Sequence, residues 1–511
     1  MSNSRIARNT LYMYVRLFAT ILIGLYTYRI VLNILGVSDY GLYSVVGGLI
    51  AMFSFISGSL EGATTRFLNI ELGKSGGDLN RSFNINRILH LSLALIILIL
   101  SETIGLWYVL NKLNVAPDKL SDALYVYHIS VITSCVAIIN TPFSGLYNAH
   151  EKFGYIASLD ILNAIIRLGL IFLLQYYQGN ALRLYAIIMC ITTVSTTIVL
   201  RYHAIREWGY ITHFRLVKGW KNYKEVLVFS NWNLLGTIAL VARSSGSDLI
   251  INSFFGTIIN GAFAISKTLN NYITTFSTNF DSASAPQIVQ SMSAGDNDRS
   301  TYIVNKLGKF SLLLFELIFF PIYIELDFIL NLWLGELPPD VLSFCRLNLL
   351  LAAVALTCGG LTQYINASGN LKWFKINGAF FFLICLPIGC LLFKFGAPPQ
   401  SMIICFLIAD IFQRIVQLIL MRRILKFDSI AYIKNAYIRP FVIALIMACV
   451  LMIHSNLKIS GTCFEIISII SAFTMTSILV YLVGLTKNER LKVNSNLLRI
   501  FRQFIKYVKI S

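Results

Sequence analysis

Apolar runs recur along the whole chain, each closed by a short polar or basic break. A helix crossing hydrocarbon needs about 20 mostly apolar residues. Fourteen such runs are centred near Ile21, Ile50, Leu98, Val136, Leu168, Thr192, Gly236, Phe276, Ile318, Ala355, Ile384, Ile411, Met447 and Thr474. Within lipid a helix satisfies its own backbone polar groups, so this pattern predicts an all-α polytopic membrane protein of about 14 transmembrane helices. The runs near Gly236 and Phe276 are the most polar of the set.

The polar positions inside the runs are patterned too. Lys267, Asn271, Thr274, Thr278 and Asp281 fall at i, i+4, i+7, i+11 and i+14, one stripe of a helix. Polar side chains are costly in hydrocarbon and turn toward a bundle interior or a water-filled cavity. The stripe therefore predicts a hydrophilic path, as in a transporter. Span two carries Ser54, Ser57, Glu61 and Thr65 on one face. Span one places Asn9, Tyr12, Arg16, Thr20 and Thr27 within roughly 40° of one line, with Arg29 on another face about 20 Å from Arg16. Span seven ends in Arg243-Ser-Ser-Gly-Ser-Asp248, where Arg243 is expected to pair with Asp248 or to bind an anion. Asp160 with Arg167, and Asp410 with Arg414 at i,i+4, read most simply as internal ion pairs. Arg29 has snorkelling toward the interface as its plain alternative.

The chain repeats itself. Gly36-x4-Gly41-x-Tyr43 recurs as Gly256-x4-Gly261-x-Phe263, and Gly77-Asp78-x-x-Arg81-Ser82 recurs as Gly295-Asp296-x-x-Arg299-Ser300. Asn148-Ala149 returns as Asn366-Ala367. Near-constant offsets point to an internal duplication, with Glu61 and Asp281 as equivalent carboxylates. Six spans per copy give both copies the same orientation, so the repeats are parallel. The expected organisation is an N-lobe over 1–202, a cytoplasmic linker over 203–224 and a C-lobe over 225–424. Two further spans cover 425–485, and a basic tail covers 486–511.

Composition agrees. Of 511 residues 56% are hydrophobic and only 13% charged, far below the roughly 25% of soluble domains. The net charge of +18 does not point to nucleic acid, because the bases cluster in alternate breaks. Thirty fall on one side of the predicted spans and five on the other (Lys112, Lys119, Arg183, Lys394 and Lys458). The positive-inside rule then puts both termini in the cytoplasm. Arg5 and Arg8 lead into a run too long for a signal-peptide core, so no cleaved leader is expected. The nine cysteines are scattered without metal-binding spacing and read as small apolar residues. No phosphate-binding loop, nucleophile elbow or His/carboxylate cluster is present, so no catalytic residue, metal or cofactor is expected. Energy is then expected from an ion gradient, the membrane potential or the substrate gradient.

Several stretches carry a family resemblance: Ile34-Leu35-Gly36-Val37-Ser38-Asp39-Tyr40-Gly41-Leu42-Tyr43, then Arg66, and Gly145-Leu146-x-x-Ala149-x-Glu151-Lys152 leading to Ile161-Leu162-Asn163 and Arg167. Pro286 followed by Gly295-Asp296 is a further one. The chain resembles the polysaccharide-repeat flippase branch of the multidrug/oligosaccharidyl-lipid/polysaccharide exporter superfamily. It departs at Asn33, where many relatives carry arginine. The resemblance implies two six-helix lobes in a V and translocation of undecaprenyl-pyrophosphate-linked oligosaccharide across a bacterial inner membrane. It makes Arg16, Arg29, Arg243, Lys267, Asn271 and Thr274 the expected substrate contacts, cations for pyrophosphate and amide or hydroxyl groups for sugars. Glu61, Asp281, Asp160 and Asp410 are the expected gating or coupling acids, for a proton or sodium ion. Expected partners are the lipid-linked oligosaccharide, membrane lipids, and the polymerase and chain-length proteins of polysaccharide assembly. Two rival functions are a drug exporter of the same superfamily and an integral-membrane glycan polymerase or ligase. The latter typically carries a large outer loop, and this chain has none.

Overall fold

The computed structural model describes residues 3–53, 55–73, 76–283, 287–288, 291–292, 295–456, 461–491 and 494, and among these there is no strand. The principal helices are α1 (Asn3–Phe53), α2 (Phe55–Gly73), α3 (Leu79–Leu100), α4 (Leu120–Ala149), α5 (Phe153–Leu174) and α6 (Ala181–Glu207). They continue as α7 (Trp220–Val241), α8 (Ser247–Ala283), α9 (Asn297–Ile324), α10 (Leu326–Leu334), α11 (Val341–Leu356) and α12 (Leu361–Ser368). The last four are α13 (Lys372–Lys394), α14 (Ser401–Ile424), α15 (Ile438–Asn456) and α16 (Thr462–Leu479).

Among the described residues, eleven stretches are long and apolar enough to cross a membrane, or twelve if α11 and α12, bent by 45°, make one broken span. The sequence count of fourteen differs because the runs centred near Ile21 and Ile50 meet in one stretch, Val15–Ile50, and those centred near Gly236 and Phe276 meet in another, Gly236–Thr275. Each of these long stretches is broken at one glycine. Gly36 has φ 72° and ψ 168°, and Gly256 has φ 78° and ψ −170°. That region is essentially closed to residues with a Cβ. The other repeated motif starts a helix. Asp78 accepts the Arg81 backbone N–H at 2.9 Å, and Asp296 accepts that of Arg299 at 2.9 Å. Gly-Asp-x-x-Arg-Ser is therefore an N-cap in both copies.

The chain forms two compact units. The first comprises Met1–Leu269, Asn331–Asn348 and Leu371–Gln413. One of its cores joins Val31, Leu42, Val45 and Val46 of α1 to Val126, Tyr127 and Val131 of α4, Ile171 of α5 and Leu182 of α6. A smaller core holds Leu68, Phe83, Phe143, Tyr147, Leu200 and Trp208. Large apolar side chains stay outside, such as Leu95, Ile96 and Ile99 on α3 and Leu162, Ile165 and Ile166 on α5. A lipid-facing surface is built this way.

The second unit comprises Asn270–Leu330, Leu349–Asn370 and Arg414–Ser511. In it α9 packs against α15 and α16. Gly308 makes room for Tyr432, whose hydroxyl donates to the Gly359 carbonyl at 2.9 Å, and Gly359 in turn packs on Gly308 and Ser311. Lys306 and Lys309 of α9 both reach Glu489 beyond α16, the latter at 2.5 Å. Burial opposes ionisation of Glu489. Hydrogen bonds from the two lysines and Thr486 outweigh it and hold its carboxyl down to about 2.

Within the first unit the two glycine motifs meet. A Cβ on Gly41 would lie 2.0 Å from the Thr257 carbonyl oxygen, and one on Gly261 would lie 2.4 Å from that of Val37. Thr257 and Gly261 are the repeat equivalents of Val37 and Gly41, so the crossing is reciprocal. Asn260 Nδ2 donates to the Gly41 carbonyl at 3.2 Å, and the Ser38 and Thr257 hydroxyls bond at 2.8 Å.

Candidate functional site: intramembrane ion pairs

Arg243 sits in a π-helical turn, Ala242–Gly246, at the end of α7. The wider turn aims its guanidinium at α14. There Nη1 donates to Asp410 Oδ1 at 2.7 Å and Nη2 to Oδ2 at 3.1 Å. The rings of Phe382 and Phe406 flank it, 4.7 and 4.6 Å from Cζ. The side chains are 15% and 7% exposed, so the fork-on-fork pair is nearly dry. This corrects two expectations. Arg243 does not pair with Asp248, and Asp410 does not pair with Arg414. Arg414 turns instead to Gln417 and the Ala355 carbonyl. The bidentate geometry available across helices is better than the oblique i,i+4 approach along one.

Asp248 belongs to Lys267. It lies in the first turn of α8, two residues beyond the π-helical turn that carries Arg243. Lys267 Nζ reaches both its oxygens at 2.5 Å, with side chains 23% and 4% exposed. Lys267 also lies 5.0 Å from the centre of the Phe263 ring. Gly48 of α1 presses close, since a Cβ there would meet Asp248 Oδ2 at 3.1 Å.

The third pair is more open. Arg16 of α1 meets Asp160 of α5 at 2.8 Å, with side chains 44% and 31% exposed. Arg16 thus takes the close contact expected of Arg167, whose charge still acts on Asp160. Arg29 donates to the Leu332 carbonyl at 2.9 Å, while Trp333 donates to the Leu25 carbonyl at 2.9 Å. Its role here is to tie α1 to α10. In the second unit, Thr274 spends its hydroxyl on the Asn270 carbonyl of its own helix at 2.8 Å, and Asn271 is exposed. The side chains of Glu61 and Asp281 lie outside the described residues, as does that of Thr278. Among the described residues no group of three His, Cys, Asp or Glu side chains could hold a metal.

Residues 6–286, more than half of the chain, match the family described as polysaccharide biosynthesis protein. The chain belongs to that family. No curated protein matches this member of the polysaccharide biosynthesis family in sequence. Its fold is that of the multidrug and lipid II transporters. A structure titled lipid II flippase MurJ, inward closed conformation, superposes with a TM-score of 0.64 at 16% identity, covering 92% of this chain and 98% of that one. An outward-facing multidrug resistance MATE family transporter of the MOP superfamily gives 0.59 at 16% identity, covering 83% and 96%. A MOP superfamily transporter from Pyrococcus furiosus, titled for the reverse polarity of its binding pocket, gives 0.52 at 15%, covering 82% and 95%.

Two charged residues of this family member lie outside the polar stripes. Glu316, on α9, is 7% exposed and its Oε2 has no hydrogen-bond partner. Lys375, on α13, lies against Gly236 of α7. The signal for Glu316 was a single acid inside an apolar run, which belongs to no periodic stripe.

Proposed function

We propose that this protein translocates undecaprenyl-pyrophosphate-linked oligosaccharide repeat units from the inner to the outer leaflet of a bacterial inner membrane by alternating access. The main support is membership of a polysaccharide biosynthesis family on a transporter fold. The chemistry is compatible. A pyrophosphate and its sugars cannot cross hydrocarbon unaided, and Arg16 is a cation inside a candidate span with 44% of its side chain exposed. An incoming pyrophosphate can take Arg16 from Asp160 by exchanging one anion for another, which costs less than desolvating a free charge. Arg243 is a poorer substrate contact than its sequence position suggested, because both its terminal nitrogens are already held by Asp410 and its side chain is only 15% exposed. Asp160, released by the cargo, and the pair Glu61 and Asp281 are the proposed acids for a coupling proton or sodium ion.

The test is depletion of the protein in its host. Lipid-linked repeat units should accumulate in the inner leaflet while one surface polysaccharide disappears. Intact surface glycans combined with new sensitivity to cationic dyes would instead establish the drug-exporter function. Accumulation of fully exported but unpolymerised units would establish the polymerase.

A further inference from the structure

At the end of the first unit that carries its basic positions, two arginines share one aromatic ring. Arg87 of α3 has its guanidinium carbon 6.0 Å from the centre of the Phe143 ring. Arg201 of α6 has its own 5.1 Å from the same centre. Phe143 is 3% exposed and is fixed by a T-shaped contact with Phe83 at 5.2 Å. Arg87 also packs on Phe214 of the linker at 5.2 Å and donates to the Thr212 carbonyl at 3.2 Å.

The charge around them is unbalanced. Their neighbours at this end have oxygen partners: Arg215 with Asp78 at 3.0 Å, Lys152 with Glu207 at 2.5 Å, and Arg81 with Asn222 at 2.6 Å. Among the described residues no carboxylate lies within ion-pair distance of Arg87 or Arg201. Among the described residues Arg201 has no hydrogen-bond partner, and its Nε is buried without one. A buried N–H of a charged group left unmade is expensive. Two like charges on one ring, with no counter-charge, add repulsion to that cost. A phosphate-type anion removes both penalties. It presents several acceptor oxygens to planar guanidinium forks, the geometry arginine matches best.

We propose that Arg87 and Arg201, braced on Phe143, form a binding site for a phosphate-type anion, separate from the ion pairs of Arg16, Arg243 and Lys267. Such a group reaches the site either as the headgroup of an anionic phospholipid or as a soluble phosphate. Because the ring is shared with α4 and the Thr212 contact belongs to the linker, an anion there would fasten α3, α4, α6 and residues 212–214 together.

The experiment is native mass spectrometry of the full-length protein in a neutral detergent. It would be titrated separately with dioctanoyl-phosphatidylglycerol, dioctanoyl-phosphatidylcholine and inorganic phosphate. Wild-type protein should bind phosphatidylglycerol or phosphate more tightly than phosphatidylcholine. Which of the two binds identifies the lipid or the soluble source. Arg201→Gln and Arg87→Gln should each weaken that binding about tenfold, the loss of one charge-assisted contact. Arg201→Lys, which keeps the charge and the fold but not the fork, should weaken it less. Arg206→Gln, an exposed base on the same helix, is the control and should leave binding unchanged. Equal affinity in wild type and both glutamine variants would overturn the proposal. So would an equal loss in Arg206→Gln, since the effect would then be general surface charge.

Discussion

Replacing Arg243 by alanine should damage folding before it damages transport. The substitution leaves Asp410 at 7% exposure with neither of its two hydrogen bonds at 2.7 and 3.1 Å. Removing one partner of a buried pair costs about 3–5 kcal/mol. Loss of the Phe382 and Phe406 contacts adds about 0.5–2 kcal/mol each. These are not additive, and a loss of about 4 kcal/mol is expected. Asp410→Ala should cost a similar amount. The double replacement Arg243→Met with Asp410→Leu fills the same volume without charge, and should recover most of that loss. The assay is SDS-titrated unfolding in mixed micelles, run beside restoration of surface polysaccharide in a deletion strain. If Arg243→Ala unfolds at the wild-type midpoint yet fails to restore polysaccharide, the guanidinium serves the cargo and the structural argument is wrong.

Arg16→Ala and Asp160→Asn should behave in the opposite way. This pair is half open, so each should cost no more than about 1 kcal/mol of stability, while polysaccharide export falls severalfold; equal losses of stability and export would count against it. Gly261→Val should force the α1–α8 crossing apart, because its Cβ starts 2.4 Å from the Val37 carbonyl. Labelling of a cysteine at Ser38 by a hydrophilic maleimide should therefore rise, and unchanged labelling would refute the close contact. Glu489→Gln should free the segment after α16, seen as faster limited proteolysis near Thr486 at neutral pH. In the wild type the Glu489 carboxyl sits at about 2 against an ordinary value of 4.5. Its contribution is thus complete above about pH 4.5 and is lost as pH falls toward 2, so wild-type cleavage should stay constant from pH 7 to 5.

Much of the helical framework was legible because each span must be an apolar run, and the structure keeps those runs as helices. The glycine motifs were legible as repeats but not as shapes. Only the φ values of Gly36 and Gly256 reveal that they break otherwise continuous helices. Charged positions were found where they fell in stripes, yet their partners were not. Arg243 and Asp410 are 167 residues apart, and no periodicity within one helix can link them. Lys267 and Asp248 share α8 but lie on opposite sides of its break at Gly256, so a straight-helix projection separates them. Arg201 is one of the thirty bases on the cytoplasmic side of the predicted spans, and nothing in its neighbourhood of sequence singles it out.

The pairing of Arg16, Arg243 and Lys267 with carboxylates has an electrical consequence. Each couple carries no net charge, so the membrane field does little work on these couples when the protein is empty. A bound pyrophosphate adds negative charge that the field does act on. With the cytoplasm negative, outward movement of an anion is downhill by about 2.3 kcal/mol per charge per 100 mV. On the proposed cargo the voltage itself can drive the loaded step, and the three neutral couples add nothing that opposes the return of the empty protein. Export by this protein should therefore slow when the potential is collapsed with valinomycin and potassium, even with every ion gradient other than potassium left in place.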